Sequence, residues 1–187
     1  MRHFRRDPLP AGAIERLIAT TRFAPSVGNA QPWRFARVTT ADLRETLASH
    51  VDAASQRAAA AYDPARATAY RALKLHGLRE APGILAVFSD ETPAAGHRLG
   101  VATMPEMLRY STVMAIHTLW LAARAQGIGV GWVSILEPAT VAALLDVPPD
   151  WSLIAILCLG YPEAASTEPE LQARGWQDRL PVEIIDR

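Results

Sequence analysis

Apolar and polar positions change period several times along this chain, and each change predicts an element. Over residues 11–22, Ile14, Leu17, Ile18 and Thr21 recur at helical spacing behind Pro10, so an amphipathic helix is predicted there. "RFARVTT" (34–40) reads as a short strand and "ILAVFSD" (84–90) as a continuous apolar one. The alanine-rich stretch 53–70 reads as helix, a break at Asp63-Pro64, then helix again. Residues 106–125 form the most apolar helix; "VMAIHTLWLAA" is greasy on every side and is expected in a core or against a partner subunit. "GIGVGWVSI" (127–135) is a glycine-punctuated strand, "EPATVAALLDV" a short helix with Pro138 near its first turn, and "SLIAILCLGY" another buried strand. From Pro162 to Arg187 the chain is polar, proline-spotted and poor in pattern, and is not expected to pack alone. Helices and strands mix without a clean βαβα alternation, so the predicted class is α+β.

Composition narrows the function. A chain of 187 residues, half of them apolar, suits one domain over 1–187 with a sizeable core. Nineteen basic and nineteen acidic residues give no net charge. That argues against a nucleic-acid binder and against a polybasic membrane contact. The lone cysteine, Cys158, excludes an internal disulfide framework and a cysteine-based metal cluster, and a reducing, cytoplasmic setting is expected. No run of about 18 apolar residues marks a membrane span. "MRHFRRDPLP" lacks the apolar region of a signal peptide. The five histidines, His3, His50, His76, His97 and His117, are scattered, so no metal site is expected. There is no Gly-x-Gly-x-x-Gly fingerprint in strand–helix context, no Walker loop and no Gly-x-Ser-x-Gly elbow.

Three separated polar stretches remain. "APSVGNAQPWRF" (24–35) carries more breakers than a connector needs, and its Ser26, Asn29 and Gln31 can reach a planar polar ring. "YRALKLHGLREAP" (70–82) holds the only lysine, Lys74. "GVGWVSI" places Ser134 among apolar neighbours. Arginines stand at both chain ends: Arg2, Arg5 and Arg6, then Arg174 and Arg179. The guanidinium fork suits a phosphate, so a ring held by Ser, Asn and Gln with its phosphate on arginine would describe an FMN site. Each residue also has a plain reading. Ser26 and Asn29 can cap a turn, Ser134 can be a strand serine and Lys74 a solvated one. His117 reads as a hydrogen-bonded core or interface residue, Cys158 as inert filling, and Glu106 as a helix N-terminal acid or a site residue.

The opening "RHF…P…APSVGNAQPWRF" resembles the flavin-binding start of the nitroreductase superfamily. "LKLHGLREAPGIL", "TMPEMLRYSTVMAIHTLWLAARAQGIGVGWVSIL" and "LCLGYP…ELQARGWQDRLP" together resemble one branch, the 5,6-dimethylbenzimidazole synthases, over nearly the whole chain. The resemblance implies a nitroreductase-like fold: an antiparallel-dominated sheet flanked by helices, a long buried central helix, and an extended C-terminal tail embracing a partner subunit. It implies a homodimer with FMN at the interface. The implied enzyme consumes reduced FMN with O2, fragmenting it to 5,6-dimethylbenzimidazole and D-erythrose 4-phosphate, with a separate flavin reductase supplying the reduced flavin. Such chemistry needs a pocket that excludes water, a cover that the 53–80 region could supply, and a positioned base. By match to the family motif, Ser134 is the catalytic hydrogen-bonding residue. Ser26, Asn29 and Gln31 surround the ring, Lys74 and Leu75 belong to the cover, Met1 and Arg2 match the end of the N-terminal pattern, and Arg2 and Arg179 are candidates for the phosphate.

The start departs from that pattern. The family's two arginines and the aspartate that acts as base would lie upstream of Met1, and Asp7, next to Pro8, does not replace it by spacing. A start assigned too late accounts for this; a degenerate flavin binder is the other reading. His76 also stands where the pattern has an acidic residue. Beside the synthase, two alternatives stay open: an NAD(P)H-dependent nitroreductase or flavin reductase that keeps its FMN, and a non-catalytic flavin-binding protein.

Overall fold

The four apolar runs pair into one antiparallel sheet. In the computed structural model, which describes residues 1–164 and 166–186, β1 (Trp33–Arg37), β2 (Gly83–Asp90), β3 (Gly129–Val133) and β4 (Trp151–Gly160) lie in the order β1-β2-β4-β3. Ala36, Ala86, Ile156 and Val133 form one row across it. β1 and β3 are therefore the two edges. β2 is buried at every position because helices cover both faces of its place in the sheet.

On one face, α2 (Ala41–Ala59) and α5 (Pro138–Leu144) pack Leu47, Val51 and Val141 against Ile84, Phe88 and Ile156, together with Phe4 and Leu78. On the other, α1 (Ala13–Thr20) and α4 (Met107–Ala125) bring Leu17, Ile116 and Leu119 onto Leu85, Val87 and Leu157. α3 (Pro64–Arg71) follows α2 after the break at Asp63, whose carboxylate caps it by accepting the Arg66 N–H at 3.0 Å. A short α6 (Glu170–Ala173) lies in the tail.

Two sequence expectations need correction, and a third, the helix greasy on every side, is buried by this chain on one side only. The strand expected over 34–40 stops at Arg37, since Thr40 serves as the N-cap of α2, its hydroxyl accepting the Leu43 N–H at 3.3 Å. α2 therefore begins well before residue 53. The helix expected over 106–125 is present but not buried all round: Tyr110, Val113, His117 and Leu121 form an exposed stripe at spacings of three and four. His117 is accordingly a surface residue of the single chain and not part of its core. Finally, the tail does place a side chain. Gly175, at φ +68°, ends α6 in a Schellman turn: its N–H bonds Gln172 O and the Trp176 N–H bonds Leu171 O, both at 2.8 Å. Beyond it Leu180, Val182, Ile184 and Ile185 are exposed.

Candidate active site

The loop before β1 is built under backbone strain. Gly28, Asn29 and Gln31 all have positive φ (54°, 56° and 47°), a conformation that non-glycine residues adopt rarely and mostly where function needs it. Gly28 is required by space as well: a Cβ there would sit 2.9 Å from the Gly96 carbonyl oxygen. Ser26 makes no side-chain cap to the short 3-10 turn that follows it. Its Oγ instead accepts the Gln31 N–H at 3.1 Å, closing the loop on itself. Gln31 Nε2 reaches the Asn29 carbonyl and Oδ1, each at 3.4 Å. Ser111, buried on α4, accepts the Val27 N–H at 3.0 Å and donates to Met107 O at 2.6 Å. Sequence reasoning missed this support; a Ser-Thr pair inside the most apolar helix was the available signal. The three predicted ring-binding side chains thus come together on one loop, with Asn29 and Gln31 exposed and Ser26 half-buried.

The N-terminal segment lies on the other face. Met1 packs over Gly129 and Gly131 of β3, and Phe4 against Gly77 and Gly160, where side chains would collide with it. This explains two glycines of "GIGVG", Gly129 and Gly131; the first, Gly127, has open space around it and takes a positive φ of 71° just past α4. The Met1 nitrogen is 3.4 Å from Val130 O, and Phe4 bridges Pro162. Arg2 and His3 both reach Glu170 of α6, at 3.4 and 3.0 Å. Burial opposes ionisation of that carboxyl, but His3 and Arg2 outweigh it and hold it below the usual glutamate range. Arg2, expected on a phosphate, is therefore paired with Glu170, and Arg179 is exposed with no ion pair among the described residues.

Beside this segment, residues 70–80 and α2 line an open cleft of about 550 Å³ bounded by Asp52, Tyr70, Lys74, Leu75, His76 and Arg79, among others. Lys74 pairs with Glu80 at 3.1 Å. Asp52 takes His76 Nε2 and Arg79 Nη1, each at 2.8 Å, while Arg79 also forks onto Glu45. His76 Nδ1 accepts the Leu78 N–H at 3.3 Å, so both ring nitrogens are engaged within the wall. His76 thereby braces the cover against α2. Burial pushes the Asp52 carboxyl up, but the His76 and Arg79 hydrogen bonds prevail and hold it below the ordinary aspartate range. Stability from this group is complete above the unfolded aspartate value and is lost as pH falls through the lower folded one. The melting temperature of the native chain should therefore fall on acidification through that window, and Asp52→Asn should flatten that limb. An unchanged acid limb in the variant would count against the brace.

Ser134 is exposed one residue past β3. It stands toward the same end of the sheet as the Ser26 loop but at the opposite edge, the two edges being three strand spacings, or roughly 14 Å, apart. One chain thus holds the Ser26–Asn29–Gln31 loop on the α4 face of one edge, and Met1, Arg2 and the 74–80 wall on the α2 face of the other. Cys158, on β4 between them, is buried, and burial pushes its thiol up to about 12, which leaves it inert. Among the described residues, no group of three His, Cys, Asp or Glu side chains could hold a metal ion, and no helix is long and apolar enough to cross a membrane. The donors fit a flavin in kind: hydroxyl and amide groups on a rigid loop for the ring, and an exposed guanidinium on Arg179 for the phosphate.

The chain belongs to the nitroreductase family, whose model covers residues 1–161. It is 53% identical to a 5,6-dimethylbenzimidazole synthase of Rhodospirillum rubrum, over all of this chain and 89% of that one. To a synthase of the same name from Rhodobacter capsulatus it is 51% identical, over 98% of this chain and 88% of the relative. Its fold resembles that of an oxidised iodotyrosine deiodinase solved with FMN and 3-iodo-L-tyrosine, with a TM-score of 0.77 at 22% identity, over 100% of this chain and 94% of that one.

Proposed function

We infer that this chain is a 5,6-dimethylbenzimidazole synthase. It takes reduced FMN and O2 and releases 5,6-dimethylbenzimidazole and D-erythrose 4-phosphate. The observation that carries the reading is 53% identity to a synthase along the entire chain, a span that includes every candidate flavin residue named above.

Reduced FMN is the substrate and supplies both the ring that meets O2 and the ribityl chain that is released. The Ser26–Gln31 loop grips the ring edge with groups whose geometry is fixed in advance, so little order is lost on binding. Ser134 offers a hydroxyl to the ring from the end of β3. Lys74 and Leu75, on the braced wall, close over the flavin and keep water out. Arg179 and Arg2 hold the phosphate, Arg2 by trading its pair with Glu170. Because the loop and Ser134 occupy opposite edges in one chain, a site that uses both is built by two copies. The exposed α4 stripe and the apolar positions of the tail give the second copy its contact surface. The protein works as a single-domain homodimer in the cytoplasm, fed by a separate flavin reductase.

The test is a product assay. Chemically reduced FMN is added without nicotinamide, air is admitted, and dimethylbenzimidazole is measured. It is run on the chain as it stands and with Arg-Arg-Asp joined ahead of Met1, where the family pattern has its base. Product from the extended form is expected. Intact FMN in both, with oxidation of NAD(P)H when that is supplied, would replace the synthase with a flavin-retaining reductase.

A further inference from the structure

The tail is fastened to the cover by an aromatic clasp that the flavin site does not explain. After the Schellman turn at Gly175, the Trp176 ring lies edge-on to Tyr62 with centroids 5.7 Å apart, and 6.0 Å from Tyr70. Tyr62 and Tyr70 are themselves 5.2 Å apart. Arg66 closes the group: its guanidinium carbon is 4.4 Å from the centre of the Trp176 ring, and Nη1 donates to the Trp176 carbonyl at 3.3 Å. The contacts are local to neither partner, since residues 62–70 and 176 meet only through the fold.

What the clasp holds is specific. Tyr70 lines the cleft that also exposes Lys74 and Leu75. The short α3 bearing Tyr70 runs directly into that lining segment. Behind Trp176, Glu170 is tied to Arg2 and His3, so the tail spans from the N-terminal segment to the cover. Three residues past Trp176 stands Arg179. α3 has eight residues and only Ala67 and Tyr70 buried, too little to fix it on its own.

We propose that Trp176 is a positioning residue: gripped by Arg66, Tyr62 and Tyr70, it latches the C-terminal tail onto α3 and holds the 64–76 cover shut. Resting on the synthase reading, the latch decides how often reduced FMN and O2 react in a closed pocket rather than in one open to water. In the open pocket the two electrons and two protons of reduced FMN pass to O2, giving oxidised FMN and hydrogen peroxide and no dimethylbenzimidazole.

Two measurements separate the latch from its purpose. Hydrogen exchange on the flavin-free chain reads the cover directly. In Trp176→Ala, amides 62–76 should exchange at least about tenfold faster than in the native chain, the scale set by losing two aromatic pairs and one cation–π contact at the low end of their range. Trp176→Phe should restore most of the protection, and Arg66→Met, a surface change that leaves the rings in place, should lose an intermediate share. Turnover with reduced FMN and air then compares dimethylbenzimidazole with hydrogen peroxide per FMN consumed. A shift of the ratio toward peroxide by about tenfold in Trp176→Ala, reversed in Trp176→Phe, is expected. Unchanged exchange across 62–76 overturns the latch. Faster exchange with an unchanged ratio overturns its role in water exclusion. The ratio is read in the form carrying Arg-Arg-Asp ahead of Met1 where the native chain gives no product; if neither form gives dimethylbenzimidazole, the synthase reading fails, and the exchange result alone decides the latch.

Discussion

Gly131→Val will lower the melting temperature by roughly 6–12 °C and weaken flavin binding, although valine is the better strand residue. On propensity alone, a valine in the middle of a five-residue edge strand should help. The decisive fact is what lies over Gly131. The Met1 carbonyl packs onto it, with the Phe4 ring beside it, and a Cβ would meet backbone that cannot rotate away. Overpacking of this kind costs about 1–3 kcal/mol. Displacing the segment also returns the fully buried Phe4 to water, at about 1.5–3 kcal/mol. A combined loss of about 3 kcal/mol corresponds to that shift in a domain of this size. Arg2 would leave with the segment, so the phosphate contact proposed for it and its pair with Glu170 would go together. Gly131→Ala separates the causes in a thermal scan, since the first carbon is enough to collide. Both variants should fall; a neutral or stabilised valine variant would mean that residues 1–4 do not lie in this bed.

Elements carried by long apolar runs were legible in the sequence, and those set by local chemistry or by distant partners were not. β2, β4 and α4 announce themselves because the burial that holds them is written as uninterrupted apolar residues. The first part of α2 was hidden because its large core positions, Leu43, Leu47 and Val51, are spaced out among polar and small residues. The Ser26 loop was legible as a motif, while the feature that makes it rigid, three left-handed residues and a hydrogen bond from Val27 to a serine on another helix, depends on the fold. Likewise, His76 could be seen to depart from the family pattern, yet its role followed only once Asp52, on α2, stood 2.8 Å away. The largest gap is spatial. The sequence shows three separated polar stretches without saying where each lies, and it is the sheet order that sends the Ser26 loop and Ser134 to opposite edges of the same chain.

That separation sharpens what Ser134 should do. Ser134 is exposed and past the end of β3, and no hydrogen bond from its hydroxyl is found among the described residues, so the fold makes little use of it. Ser134→Ala should therefore leave thermal stability within about 0.5 kcal/mol of native, as surface substitutions generally do. If the hydroxyl instead donates to the flavin while its ring is being opened, its removal takes away a stabilising contact made at the reacting centre. Losing one such positioned donor typically costs about 10²–10³ in rate. The expected result is a drop of that size in dimethylbenzimidazole formation at saturating reduced FMN, with KM little changed, because the Ser26 loop and the arginines proposed to hold the substrate are untouched. Ser134→Thr, which keeps the hydroxyl, should recover part of the rate. A variant that unfolds would point to a structural serine, and an alanine variant turning over at the native rate would remove Ser134 from the reaction and leave the strained loop before β1 as the principal hold on the ring.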